Sequence, residues 1–206
     1  MEKLIIFPFN GNGIEALDCI QDQYDFIGFI DDTPGKIGMS AIGYPVYDRS
    51  AISKYKDVKV LAVPGSPTSF LTRKSLIDEL GLPNDRFARV IHSNASVSGL
   101  SVIGINTLVM AGVVLTSNCK IGNHVCILPN TTIHHDSIIE DYSLIGSGVT
   151  IAGNVTINSN CYIGSGTNII NGIQIGKQTI IGLGSNVLNG FPDNSKVYGN
   201  PAKLKY

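Results

Sequence analysis

Residues 121–156 read, in rows of six, IGNHVC, ILPNTT, IHHDSI, IEDYSL, IGSGVT and IAGNVT. Each row begins with isoleucine, and extending the rows in both directions finds an aliphatic residue at every sixth position from Ile91 to Val187. Strands alternate with a period of two and amphipathic helices with a period of 3.6, so a strict period of six matches neither alone. A hexapeptide repeat is typical of a parallel β-helix.

The repeat also predicts the geometry of the second half of the chain. Each row supplies one short strand and one corner, and three rows complete a triangular coil. Residues 18 positions apart are therefore expected in one column, about 4.8 Å apart, with the aliphatic residues stacked inside. We predict a left-handed parallel β-helix with a C-terminal tail over residues 91–206. Its flat, half-apolar faces favour association about a threefold axis, so we expect a homotrimer.

The first ninety residues alternate instead between strand-like and helix-like segments. Strands are predicted at residues 4–9, 26–30, 58–63 and 87–91, with helices at 14–23 and 68–80. This order predicts a small α/β, Rossmann-like domain over residues 1–90, with a parallel sheet. Its first turn, from Gly11 to Ala16, fits the pattern G-x-G-x-x-A between a strand and a helix, where backbone amides can hold a phosphate.

Further candidate binding residues follow the second and third predicted strands. Asp31 and Asp32 lie at about the spacing at which an acidic residue binds ribose in such folds, although a polar loop before Pro34 is an equal alternative. Gly65 ends the next strand segment and would lie at the same edge of the sheet. Ninety residues supply only one mononucleotide-binding half, so a mononucleotide-linked ligand fits better than a dinucleotide.

Composition narrows the classes of partner and compartment. The formal net charge of -1, with 15% charged residues and no run of Lys or Arg, gives no basis for binding nucleic acid or an anionic membrane. The opening MEKLIIFPF is too short an apolar run for a signal peptide or a membrane span, which favours a cytoplasmic location. The four cysteines lack metal-site spacing, so we expect core residues and no metal.

Histidine is the side chain best suited to act as a general base near neutral pH, and four positions carry it. His92 lies where the first domain meets the coil, and His124 stands alone on its row, so a packing or interface role is expected for both. The spacing of the histidines does not resemble the three-histidine zinc site of a β-helix carbonic anhydrase.

The remaining pair, His134 and His135, directly precedes Asp136, a carboxylate that can orient an imidazole. The column rule places Gly153 one coil after His135, where an unobstructed amide can stabilise an oxyanion. We therefore predict His135 as the general base, Asp136 as its partner and the Gly153 amide as the oxyanion donor. A histidine pair at a subunit seam, without chemistry, remains the alternative.

Ordered segments along nearly the whole chain match one known family: the Gly-rich first turn, FIDD at 29–32, GYPVY at 43–47, VIHSNASVS at 90–98, HHD at 134–136, AGNVTI at 152–157 and GNPAK at 199–203. The chain thus resembles the bacterial sugar acyltransferases of the NeuD/PglD type. The resemblance implies a homotrimer that uses acetyl-CoA, bound between adjacent coils, to acetylate nucleotide-linked amino sugars or sialic acid. It also gives the role of base to His135.

The same resemblance implies two binding sites. Acetyl-CoA contacts fall on Ser165 and Leu183, and the nucleotide-sugar site falls on Asn10, Gly11, Asn12, Asp31, Asp32 and Gly65. Many members of the family carry histidine where this chain has Asn12 and Leu144. The first departure bears on the sugar and its pose, and the second removes an expected acetyl-CoA contact.

The leading prediction is an acetyl-CoA-dependent N-acetyltransferase acting on a UDP- or dTDP-linked amino sugar for a surface glycan. O-acetylation of sialic acid or another sugar is the nearest alternative, because the same base can serve an amine or a hydroxyl. A trimeric scaffold that binds a nucleotide sugar without catalysis is the alternative of another class.

Overall fold

The fold consists of a parallel sheet flanked by short helices, followed along the chain by a coil of two-residue strands. The structure, a computed structural model, describes residues 1–38 and 42–205. The sheet has the order β3-β2-β1-β4, and each neighbouring pair of strands is parallel. Its strands are β1 (Glu2–Phe7), β2 (Tyr24–Ile30), β3 (Val46–Tyr47) and β4 (Lys59–Ala62).

Short helices connect these strands. The α-helices are α1 (Gly11–Glu15), α2 (Ala51–Lys54) and α3 (Arg73–Asp78), and 3-10 turns cover Ala16–Cys19, Pro34–Lys36, Phe70–Thr72 and Asn84–Arg86. The prediction of a helix at 14–23 was wrong in its bounds. The Asn10 side chain accepts a hydrogen bond from the Gly13 amide at 2.8 Å, and this cap begins the helix at Gly11. Likewise, the segment predicted as one helix at 68–80 divides into a 3-10 turn and α3.

Two strand predictions also need correction. The segment 87–91 was expected in the first sheet, but only Phe87 forms a bridge to it, with Val60. Val90–Ile91 is instead β5, the first strand of the coil, because Ile91 already heads a hexapeptide row. The edge strand β3 was missed, since two residues are too few to show a strand pattern.

From residue 90 each described row contributes one two-residue strand. These strands are β5 (Val90–Ile91), β6 (Ser96–Val97), β7 (Val102–Ile103), β8 (Leu108–Val109), β9 (Val114–Leu115), β10 (Lys120–Ile121), β11 (Cys126–Ile127), β12 (Thr132–Ile133), β13 (Ile138–Ile139), β14 (Leu144–Ile145), β15 (Thr150–Ile151), β16 (Thr156–Ile157), β17 (Tyr162–Ile163), β18 (Asn168–Ile169), β19 (Gln174–Ile175), β20 (Ile180–Ile181) and β21 (Asn186–Val187). A closing antiparallel hairpin follows, made of β22 (Lys196–Gly199) and β23 (Ala202–Leu204).

The coil strands stack into three faces over residues 90–205, all of which the structure describes. Face 1 contains β5, β8, β11, β14, β17, β20 and the closing hairpin; face 2 contains β6, β9, β12, β15, β18 and β21; face 3 contains β7, β10, β13, β16 and β19. From β5 to β18 each strand pairs in parallel with the strand 18 residues later, as Ile121 does with Ile139, whereas β20 pairs with β22 16 residues later. The predicted column rule is confirmed, and the architecture fits a left-handed parallel β-helix.

The repeating residues explain this coil. The residues that head the rows, such as Ile133, Ile139, Ile145 and Ile151, are fully buried in one continuous core. In the rows that begin at Ile103 to Ile181, the fourth residue turns the corner with a left-handed backbone, for example at Asn154, where φ is 57°. Asparagine and glycine tolerate this conformation better than other residues, which accounts for their frequency in the sequence.

The N-terminal sheet packs on face 1 of the coil. Outward side chains of that face, including Cys126 and Leu144, share one buried cluster with Leu4, Ile6 and Leu61 of the sheet. Burial of this apolar surface on both sides attaches the sheet to the coil. The loops that follow the sheet strands are thereby held beside the corners of the coil.

Polar contacts reinforce this junction. The Asn106 side chain accepts from the Ala62 amide at 2.7 Å and donates to the Ala62 carbonyl at 3.0 Å, so it extends the sheet as a strand backbone would. Arg73, which is fully buried, donates through Nη2 to the His124 carbonyl at 2.7 Å and also donates to the Pro64 carbonyl. These bonds satisfy buried backbone groups that would otherwise lack a partner.

The two histidines for which packing was expected are both engaged locally. His124 is buried, stacks on Tyr142 with ring centroids 4.7 Å apart, and has a pKa lowered to about 4 by burial and by Arg73. The Nδ1 atom of His92 accepts from the Asn94 amide at 2.9 Å and so closes the turn after β5.

Candidate active site

His135 and Asp136 lie at the corner that follows β12. Their side chains form a hydrogen bond, with His135 Nδ1 and Asp136 Oδ2 2.8 Å apart. The other carboxylate oxygen, Oδ1, accepts from Asn118 Nδ2 at 2.7 Å. The hydrogen bond from Asn118, and then that from His135, holds the pKa of Asp136 below its usual value, so the carboxylate is ionised near neutral pH.

This pairing determines the proton arrangement of the imidazole. An ionised carboxylate can only accept, so neutral His135 must carry its proton on Nδ1 and present a lone pair on Nε2. The His135 side chain is 62% exposed, so a substrate can approach the ring. The arrangement is that of an oriented general base.

Gly153 lies directly against this imidazole, as the column rule predicted. A Cβ at position 153 would come within 2.6 Å of both Cε1 and Nε2 of His135. The following amide, that of Asn154, donates to the His135 carbonyl at 2.8 Å and joins the two coils. Gly153 itself is buried, and only glycine fits beside the ring in this position.

Ser165 and Leu183 share a column at the corner that follows face 1. Ser165 Oγ accepts from the Ser147 amide at 3.1 Å. Leu183 is 82% exposed and lines a groove of about 230 Å³ with Tyr162, Tyr198 and Pro67 of the N-terminal region. The groove is mainly aromatic and aliphatic, with backbone at the coil corners on one side.

The structure places the two predicted columns at different corners of the coil. His135 and Gly153 follow strands of face 2, whereas Ser165 and Leu183 follow strands of face 1. Face 2 therefore separates the predicted base from the predicted cofactor contacts within one chain.

The predicted substrate residues lie at one edge of the N-terminal sheet, on the segments that follow its strands. Asn10, Gly11 and Asn12 follow β1, and the Asn12 side chain donates to the Gly65 carbonyl, after β4, at 3.4 Å. Gly65 has a left-handed φ of 125° and lies beside Leu144 of face 1. The structure thus brings together the loops after β1 and β4.

The loop after β2 joins them through Asp31. Its carboxylate is buried and accepts from the Phe9 amide at 3.1 Å, from the Thr33 amide at 2.9 Å and from Lys36 Nζ at 2.9 Å. Burial alone would raise the pKa of Asp31, but the Lys36 and Thr33 donors outweigh it and lower the pKa. Asp31 therefore orders the loop internally.

Asp32, unlike Asp31, binds a side chain outside its own loop. Its carboxylate takes both a bond from Arg49 Nε at 3.0 Å and a second from Nη2 of the same guanidinium. The side chain remains 43% exposed. This bidentate pair ties the loop after β2 to the segment before α2, and its outer surface is open to solvent.

Leu144, the second departure from the resembled family, is buried under the N-terminal sheet. It is not exposed on the groove beside Leu183. Asn118, which the sequence analysis did not single out, lies 18 residues before Asp136. Applying the column rule backwards from Asp136 would have found it.

Residues 1–38 and 42–205 contain no group of three or more His, Cys, Asp or Glu side chains placed to hold a metal ion. Every helix in that part of the chain falls short of the length and apolar character that a bilayer crossing requires.

Comparison with known proteins agrees with this architecture. The family model "Bacterial transferase hexapeptide (six repeats)" matches residues 100–135 and 136–171. A point mutant of perosamine N-acetyltransferase from Caulobacter crescentus, in complex with CoA and GDP-perosamine, superposes with a TM-score of 0.88 at 22% identity, covering 100% of this chain and 97% of that one.

Two further solved structures are similar over their full length. The acetyltransferase domain of PglB from Neisseria gonorrhoeae FA1090, in complex with acetyl coenzyme A, has a TM-score of 0.86 at 24% identity, with 99% of each chain covered. WeeI from Acinetobacter baumannii AYE has a TM-score of 0.87 at 28% identity, with 100% of each chain covered.

Residues 100–171 therefore match bacterial transferase hexapeptide repeats, and the whole chain has the fold of these solved structures from end to end.

Proposed function

We propose that the chain is an acetyl-CoA-dependent N-acetyltransferase that acetylates the amino group of a nucleotide-linked amino sugar for a surface glycan. The observation that carries the proposal is the exposed His135 imidazole, which is oriented by Asp136 and lies against Gly153. Direct transfer from a thioester needs a base and an oxyanion donor but no metal and no acyl-enzyme.

In this reaction, His135 Nε2 removes a proton from the sugar amine as its nitrogen attacks the thioester carbonyl carbon. The carbonyl oxygen becomes an oxyanion, to which the Gly153 amide donates. The carbon–sulfur bond then breaks, and the leaving thiolate takes up the proton from the imidazolium. Asp136 stabilises the imidazolium in between and keeps the ring in place. The products are the acetamido sugar and CoA.

The N-terminal region is the proposed binding domain for the nucleotide part, as one Rossmann-like half. The strand order β3-β2-β1-β4 agrees with the first strands of that fold, whose ligands bind beyond the carboxyl ends of the strands. Asn10, Gly11, Asn12 and Gly65 occupy that edge, and Asp31 and Asp32 shape the neighbouring loop. We favour a UDP- or dTDP-linked sugar. Because one similar structure contains GDP-perosamine, the identity of the nucleotide base must be tested with GDP-linked sugars as well.

Acetyl-CoA is the proposed co-substrate, held at Ser165 and Leu183. The groove beside Leu183 offers apolar and aromatic surface next to the free edge of the corner, which suits the extended arm of CoA. PglB and perosamine N-acetyltransferase, with the same fold, were solved with acetyl coenzyme A and CoA, respectively.

A homotrimer is the proposed assembly. Because His135 and Leu183 lie at different corners of one chain, the base of one copy would serve acetyl-CoA held by its neighbour. Exposed apolar side chains on the coil, such as Leu100, Val102 and Leu188, support burial against other copies. We place the enzyme in the cytoplasm, where the free thiols of its four buried cysteines would persist. Light scattering on the purified chain measures the assembly directly.

The function is tested by thiol release from acetyl-CoA with a panel of UDP-, dTDP- and GDP-linked 4-amino sugars and free sialic acid. His135→Ala is measured in parallel, with His134→Ala as the matched control. Turnover on a nucleotide amino sugar that is lost only in His135→Ala is the expected result. Turnover on sialic acid alone would transfer the assignment to O-acetylation, and silence of the wild type on the whole panel, with retained sugar binding, to the non-catalytic scaffold.

A further inference from the structure

The column that contains Asp136 also contains Asn118 in the preceding coil. Both residues turn their corners with the same left-handed backbone, each with φ of 62°. Their side chains meet across the coils, with Asn118 Nδ2 2.7 Å from Asp136 Oδ1. Since an ionised carboxylate can only accept, the amide nitrogen of Asn118 is the donor in this bond.

The two oxygens of the Asp136 carboxylate bind different partners. Oδ1 takes the bond from Asn118, and Oδ2 takes the bond from His135 Nδ1 at 2.8 Å. Asp136 is 51% exposed, so packing alone does not hold its side-chain torsions. Two anchored oxygens fix the plane of the carboxylate, and that plane determines where the imidazole lies.

We propose that Asn118 is a positioning residue for the acetyl transfer, acting through Asp136 to hold His135 with Nε2 towards the substrate. The inference rests on the proposed function for its catalytic meaning. The relay runs across three coils in order, from the Asn118 amide through the Asp136 carboxylate and the His135 ring to Gly153. Asn118 and Asp136 are 18 residues apart, as are His135 and Gly153. His135 and Asp136 are direct neighbours in the chain.

The electrostatics support this geometry. The hydrogen bond from Asn118 is the largest cause of the lowered pKa of Asp136, ahead of the bond from His135. A neutral donor at position 118 therefore favours the ionised carboxylate without adding a charge that would compete with the imidazole.

The kinetic test compares Asn118→Ala with Asn130→Ala. Asn130 turns an equivalent corner with φ of 59°, so both variants bear the same backbone strain, but Asn130 belongs to the column after face 1. We expect Asn118→Ala to lower kcat on the order of tenfold, as when a group that orients a catalytic histidine is removed, with KM for both substrates unchanged. Asn130→Ala should keep the wild-type kcat.

The second arm is nitrogen NMR of the imidazole, which needs no turnover. His135 signals are identified by their loss in His135→Ala. In the wild type the neutral ring should carry its proton on Nδ1, and Asn118→Ala should shift the population towards the Nε2-protonated form.

The two arms separate the inference from the proposed function. A wild-type kcat in Asn118→Ala, or an unchanged distribution of the ring proton, would overturn the positioning role. If the wild type transfers acetyl to no sugar on the panel, the proposed function fails, and the NMR arm still decides whether Asn118 orders the ring.

Discussion

The coil and the N-terminal sheet differ in how far along the sequence their contacts reach. In the coil, a strand residue such as Ile121 pairs with the residue 18 positions later, Ile139, and this step repeats up to Val187. In the sheet, Leu4 of β1 pairs with Phe26 on one side and Lys59 on the other. The candidate base lies in the regular region, where spacing fixes its neighbours, whereas the candidate nucleotide loops depend on pairings that no period encodes.

The largest expected effect in the regular region is on kcat, and it comes from adding one methyl group beside His135. Gly153→Ala would place Cβ 2.6 Å from His135 Nε2, so the ring must move. We expect a loss of about 100-fold in kcat, as for a reacting group displaced by about 1 Å. Gly99→Ala is the control, because a Cβ there meets nothing within 4 Å. Undiminished thiol release in Gly153→Ala would refute the placement of His135 as base.

The stacked core of the coil is tested by Ile151→Ala. Ile151 is fully buried among other row-heading residues, and its truncation should lower the free energy of unfolding by about 4 kcal/mol. Ile138→Ala removes an outward-facing, half-buried side chain of the β-helix. It should lower the free energy of unfolding by less than half as much. Urea unfolding monitored by circular dichroism measures both; equal costs would contradict the inward stacking.

The junction between the two regions is tested by Asn106→Ala. This change leaves the Ala62 amide and carbonyl buried without their partner, which should cost about 3 kcal/mol. Asn130→Ala reports the cost of alanine at a left-handed corner alone, since φ is 49° at Asn106 and 59° at Asn130. The difference between their thermal midpoints reports the contacts of the Asn106 side chain, which are those with Ala62 and one with His124 Nδ1 at 3.0 Å. No difference would show that these contacts contribute nothing to stability.

The smallest expected effect concerns pH and the same junction. His124 has a pKa of about 4 in the folded chain, below its ordinary value of 6.5, so the unfolded chain binds a proton more readily between these values. Stability is therefore full above pH 6.5 and falls as the pH decreases towards 4, by about 2 kcal/mol between pH 6.5 and 5. His124→Asn, which suits the left-handed corner, should flatten this part of the stability curve. A slope unchanged in the variant would assign it to other groups.

The regular region could be predicted almost completely from the sequence. The row-heading aliphatics and the 18-residue step place Gly153 one coil after His135 from spacing alone. The same arithmetic would also have given Asn118, had it been applied backwards from Asp136. A side chain's row position states both its face and its column, so local spacing was enough information.

The sheet and its junction were predictable only in outline. Asn106 binds Ala62 across 44 residues, and Arg73 binds His124 across 51. No sequence pattern predicts either contact. The role of Asp31 was equally hidden, because only the folded loop shows that Phe9, Thr33 and Lys36 already occupy its carboxylate. Whether the candidate loops bind a nucleotide stays a prediction.

The 18-residue step also limits how genes for such chains can change in length. An insertion of six residues between His135 and Ser165 would turn every later residue to the next face, and an insertion of one would bury polar side chains and expose the aliphatic ones. Only a whole coil of 18 residues would leave every column intact and lengthen the rod by about 4.8 Å. Descendants of this chain should therefore differ in coil number, while the corner that carries each functional side chain stays the same.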